Sequence, residues 1–127
     1  MLHCNIRSLP KNLTLLSDML YCLNEKPDVI AISETRLNEC SVSNIMIPNY
    51  RFFPNDSPTA AGGAGIYISE DIKSIPRPEL LLNMPLVESC WVEIDQCNGK
   101  THTIIGCIYR HPSANILRLL LLNLMNY

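Results

Sequence analysis

Lys26-Pro27-Asp28-Val29-Ile30-Ala31-Ile32-Ser33-Glu34-Thr35-Arg36-Leu37 is the stretch whose reading decides the fold. Val29 to Ile32 form an unbroken apolar run between Pro27 and Ser33. A short run without alternation predicts a strand buried on both faces, as in the middle of a layered α/β domain. Glu34 follows where such a strand leaves the core. Open α/β sheets bind ligands beyond the carboxyl ends of their strands, so a carboxylate there suits chemistry better than packing. Glu34 is the leading candidate for a functional side chain, weighed against a plain solvated charge at a strand end.

Upstream, Leu2 to Ile6 reads as a short first strand. Ser8 can cap a helix, and Pro10 is tolerated in a first turn. Leu13, Leu16, Leu20 and Leu23 recur at helical spacing, which predicts an amphipathic helix over 9–25. Strand, helix and strand make a β-α-β unit, whose two strands run parallel. Asn5 and Glu34 then both sit at carboxyl ends of parallel strands, on one sheet edge. Neighbouring strands lie about 4.8 Å apart, so an amide oxygen and a carboxylate there could share one small cation.

Downstream, a polar stretch over 38–62 contains a short strand at Tyr50–Phe53 between Pro48 and Pro54. Gly62, Gly63 and Gly65 form a turn that feeds a strand at Ile66–Ser69; they lack the lysine and hydroxyl residue of a P-loop. Residues 71–84 read as an irregular connection with one edge strand. Glu88–Asp95 alternates through Cys90, Val92 and Ile94, and Trp91 reads as core packing. Asn98-Gly99 is the strongest hairpin signal, with Thr101–Tyr109 returning. After the first unit the pattern is antiparallel. Ile116 to Met125 is apolar almost all round and too short for a bilayer, which needs about 20 apolar residues. It reads either as a helix in a groove or as sequence foreign to the original fold.

The 127 residues suffice for one domain with a core, and 47% apolar against 17% charged residues excludes a disordered chain. A formal net charge of −2 excludes a generally basic nucleic-acid binder, though not a local basic site. Six cysteines form no C-x-x-C pair and follow no signal sequence, and Cys4, Cys22 and Cys107 fall in apolar runs. Reduced, buried thiols in an intracellular protein, nuclear or cytoplasmic, are the expectation.

Taken in order, several blocks resemble a known family. They are His3-Cys4-Asn5-Ile6-Arg7-Ser8-Leu9, the 27–37 stretch, Ile47-Pro48-Asn49-Tyr50, Gly62 to Ile68, Trp91-Val92, and Gly106-Cys107-Ile108-Tyr109-Arg110. The chain resembles the N-terminal half of the endonuclease/exonuclease/phosphatase superfamily, nearest the apurinic-like endonuclease domain of non-LTR retrotransposons. The resemblance covers 3–112 and leaves 113–127 as a divergent tail. It implies a partial, DNase I-like two-sheet α/β sandwich with helices outside, and magnesium-dependent (or manganese-dependent) phosphodiester cleavage.

In that family the residue matching Glu34 binds the metal, the one matching Asn5 lines the metal and phosphate site, and the one matching Tyr109 lies near the scissile phosphate. Arg7, Arg36 and Arg110 follow strand ends on the same edge, where phosphate contact is expected as readily as plain surface exposure. The family's Gly-Asp-Phe-Asn and Ser-Asp-His blocks, which carry the base, further ligands and the catalytic histidine, do not occur here. The resemblance therefore implies half of a DNA endonuclease, inactive alone, whose parent carries a reverse transcriptase. A non-catalytic nucleic-acid- or protein-binding remnant that self-associates, or a phosphatase or RNase of the same superfamily, are the other readings. No membrane partner is expected.

Overall fold

A computed structural model describes residues 1–37, 45–55, 61–82, 84–95 and 101–114. The Asn98-Gly99 turn and the apolar tail from Ile116 lie outside the described residues. Seven strands and one α-helix follow in the order β1 (Leu2–Asn5), α1 (Leu9–Cys22), β2 (Val29–Ser33), β3 (Tyr50–Asn55), β4 (Ala64–Ser69), β5 (Ser74–Pro76), β6 (Val87–Asp95) and β7 (His102–Arg110). One turn of 3₁₀ helix, Pro78–Leu80, sits between β5 and β6.

The strands form two sheets, β1-β2-β4-β3 and β5-β6-β7. β1 and β2 are parallel, and the remaining pairings are antiparallel. This is the mixed α/β sandwich expected, with its helix outside.

Full burial of β2 follows from having a layer on each side. Ile30 and Ile32 pack toward α1 with Leu9, Leu16, Leu20 and Tyr67. Val29 and Ala31 face the second sheet, meeting Ile66, Ile68, Cys90, Val92 and Cys107. The sheets overlap with β7 over β2 and β4, and β6 over β4 and β3. β1 and β7 are outer strands of their sheets, and His3 and Asn5, in register with Ala31 and Ser33, stay exposed.

Several elements differ from expectation, each for a local reason. The helix stops at Cys22, where the Lys26 ammonium donates to the Tyr21 and Leu23 carbonyls at 3.1 and 2.9 Å and also to that of Leu20. Ser8 occupies the N-cap position, but its side chain makes no capping hydrogen bond; its φ of 108° turns the backbone N–H to the Glu34 carbonyl instead. β3 runs through Pro54, which an edge strand tolerates. Gly65 lies inside β4, where the Phe52 ring fills the space a Cβ would take.

Trp91 is not in the core: it points to the outer face of the second sheet and covers Gly106, its cross-strand partner. Cys90 and Cys107 are buried and free, but Cys22 is exposed at the helix end. Among the described residues no helix is long and apolar enough to cross a membrane.

Candidate functional site

The parallel register sets Asn5 opposite Ser33, one residue before Glu34. Both side chains emerge from the same sheet edge, and Asn5 Nδ2 donates to Glu34 Oε1 at 2.9 Å. The spatial expectation from the sequence is met: residues 29 positions apart touch. Glu34 is mostly shielded, its side chain 17% exposed, and its other oxygen pairs with Arg36 Nη2 at 3.5 Å.

The backbone that aims Glu34 is unusual. Glu34 and Arg36 adopt φ of 56° and 50°, and Arg7 and Ser8, across the gap, adopt 51° and 108°. Non-glycine residues in this region cost about 1–3 kcal/mol each and persist only where surroundings over-determine them. Here two clamps do so. From the helix side, the Ser8 and Leu9 amides donate to the Glu34 and Thr35 carbonyls at 2.9 and 2.8 Å. From the other side, the Arg36 and Thr35 amides donate to the Gly62 and Gly63 carbonyls at 2.8 and 3.4 Å. The Thr35 hydroxyl is fully buried with no hydrogen-bond partner among the described residues and lies 2.1 Å from where a Cβ on Gly63 would stand.

The second sheet supplies the third wall. Tyr109 is the cross-strand partner of Glu88. Burial raises its phenol above the ordinary value, the charges of Glu34 and Glu88 raise it further, and Arg36 partly offsets them. The phenol therefore keeps its proton at physiological pH. Glu88 itself accepts a hydrogen bond from the Gly63 amide.

The structure brings Asn5, Glu34 and Arg36 together, with Tyr109 near enough to feel the charges of Glu34 and Arg36. Arg7 follows β1 on the same edge with its side chain exposed. Arg110 turns away, donating to the Ala114 carbonyl at 3.0 Å. Glu88 was missed by the sequence reading, although alternation puts it on the inward face with Cys90, Val92 and Ile94. An acidic residue at an inward position is the signal that marks it. The glycine turn also does more than connect strands, since it braces the Glu34 segment.

As a cation site the donors are hard oxygens, one carboxylate and one amide, the kind that hard divalent cations prefer. Glu34 would hold the ion, with the amide of Asn5 turned to present its oxygen. A different cluster, Glu93, Asp95 and His102, gathers possible ligands at the other end of β6 and β7. Its carboxylates already pair with Lys73 and Arg77.

No family model matches the sequence, and no curated protein matches it. Solved structures do match in shape. The endonuclease domain of TRAS1, a telomere-specific non-LTR retrotransposon, aligns with TM-score 0.59 and 16% identity over 97% of this chain and 49% of its own. The AP endonuclease LMAP from Leishmania major gives 0.66 and 16% over 94% of this chain and 42% of its own. A 3'-5' exonuclease, NExo, from Neisseria meningitidis gives 0.50 and 14% over 81% and 38%. The chain spans less than half the length of each. The two sheets and single α-helix of the described residues share the fold of these nucleases, over about half of it.

Proposed function

We propose that this chain is the metal-holding half of a magnesium-dependent DNA endonuclease of the non-LTR retrotransposon type, with negligible turnover alone. The observation that carries the reading is the contact between Asn5 and Glu34 at the carboxyl ends of two parallel strands. The similarity in shape to nucleases, a retrotransposon endonuclease among them, supports it.

When bound, the cation would supply Lewis-acid polarisation of a phosphoryl oxygen and stabilise charge on the leaving group. The chain's own residues would do the rest. Glu34 provides the anionic oxygen and Asn5 orients it. Tyr109, kept neutral, presents an O–H toward a phosphate oxygen. Arg36, released from Glu34 when a cation takes its place, is free to meet a second phosphate, as Arg7 is on the open edge. A base to activate water is not among these groups, and general-base activation contributes typically about 10²–10⁴-fold to such reactions. The parent protein would bring that base with its remaining strands, beside a reverse transcriptase.

Magnesium titration followed by thermal unfolding tests the reading. Saturating Mg²⁺ is expected to raise the Tm of the wild-type chain by about 10 °C, since an ion at about 100 times its Kd adds about 2.7 kcal/mol. Glu34→Ala should abolish the rise; equal shifts in both proteins contradict the proposal. A second reading, a non-catalytic association surface, is favoured by Ile75, Ile104 and Ile108, each about half exposed at 50%, 49% and 50% on the second sheet. No Mg²⁺ response in either protein would favour it.

A further inference from the structure

Glu88 lies on the second sheet, yet its effect falls on the first. Its carboxylate accepts from the Gly63 amide and presses so closely on the turn that a Cβ on Gly62 would lie 2.3 Å from Oε2. Only glycine leaves that space. The Gly62 and Gly63 carbonyls in turn accept the Arg36 and Thr35 amides, on the two residues that follow Glu34. Gly63 has a φ of 102°, which glycine adopts without strain, so the turn is bonded at both ends with no side chain in the way. One end is fastened to the Glu34 segment, the other to Glu88.

We infer that Glu88 is a positioning residue for Glu34: by hydrogen-bonding the Gly62-Gly63 turn it fixes the left-handed backbone that aims the Glu34 carboxylate at the cation. The inference rests on the cation site proposed above. It assigns the second sheet a task in that site beyond contributing Tyr109. Groups that orient a metal ligand without touching the ion typically change affinity by about 10–100-fold when removed. The Gly63 amide needs an acceptor oxygen, and that oxygen need not be charged. Glutamine at 88 keeps such an oxygen; alanine does not.

The experiment is an Mn²⁺ titration of the full chain read by the electron paramagnetic resonance of the free ion. It compares wild type, Glu34→Ala, Glu88→Ala, Glu88→Gln and Gly62→Ala, with hydrogen exchange at the Gly63 amide as a second readout. Glu88→Ala is expected to weaken Mn²⁺ binding about tenfold and to speed Gly63 exchange, while Glu88→Gln stays within about twofold of wild type. Gly62→Ala, which displaces the carboxylate without deleting it, should reproduce the Glu88→Ala loss and decides the matter if that variant does not fold.

Loss in Glu34→Ala with wild-type affinity in Glu88→Ala or Gly62→Ala overturns the inference and leaves the cation site standing. Glu88→Gln as weak as Glu88→Ala also overturns it, because charge would then be the cause. Unchanged affinity in Glu34→Ala overturns the cation site itself, and the role assigned to Glu88 falls with it.

Discussion

At the scale of single residues, the chemistry rests on side chains whose backbone is held against its own preference. Glu34 and Arg36 lie in the left-handed region, and what keeps them there is a set of amide–carbonyl bonds to Ser8, Leu9, Gly62 and Gly63. Gly63 is the tightest point, since its φ is 102° and a Cβ would strike the Thr35 hydroxyl. Gly63→Ala is expected to cost about 2–5 kcal/mol, combining backbone strain with overpacking. Urea denaturation measures this, and a change below about 0.5 kcal/mol, the range of ordinary surface substitutions, would show that the turn adapts freely. Asn5 and Glu34 were legible in the sequence because a β-α-β unit forces its strand ends to one edge. Glu88 showed only as an acidic residue at an inward position, because the amide it binds lies 25 positions away in the turn before β4.

At the scale of elements, the apolar pattern carried the reading well for the strands that build the core. β2 declared itself by an unbroken apolar run, and β6 by alternation. It failed where local hydrogen bonds decide boundaries: Lys26 ends α1 early, and β4 starts at Ala64 because the glycines before it pack tightly. Trp91 misled because an aromatic residue on a strand fits either face, and cross-strand Gly106 offers it a platform outside the core.

The inward faces of β6 and β7 make a titration prediction. Cys90 and Cys107 stand opposite each other, donating to the carbonyls of Phe53 and Ile32 at 3.2 and 3.3 Å. Burial, aided by the Cys107 charge, pushes the Cys90 thiol up from 9.0 to about 12. The unfolded chain therefore loses this proton first. Stability is expected to be unaffected by Cys90 below pH 9 and to fall as pH rises from 9 toward about 12. Unfolding free energies at stepped pH should show a shallower fall in Cys90→Ala; identical slopes would mean that the thiol is not sequestered. Tyr67, its phenol buried and also raised, titrates in the same direction and accounts for part of the remaining slope.

At the scale of the whole molecule, the two sheets and the helix of the described residues enclose two apolar layers, with β1 at the edge of its sheet. Less than half of each similar solved structure is spanned. The fold was legible as an ordered set of weak blocks, each too short to decide anything alone. Substrate was less so, because fold does not fix chemistry and similarity at 14–16% identity speaks to shape. With no general base assigned among the described site residues, the chain is expected to leave supercoiled plasmid intact in magnesium over hours. Nicking that disappears in Glu34→Ala would show that the half-site suffices.

The central claim is that Asn5 and Glu34 grip a divalent ion. Crystals of the full chain soaked in Mn²⁺ and measured at the manganese absorption edge address it most directly. The account predicts an anomalous peak at bonding distance, about 2.0–2.2 Å, from a Glu34 carboxylate oxygen, with the Asn5 amide oxygen turned toward it. A peak confined to Glu93, Asp95 and His102, or an empty Glu34 with its hydrogen bond to Asn5 intact at saturating Mn²⁺, would contradict it.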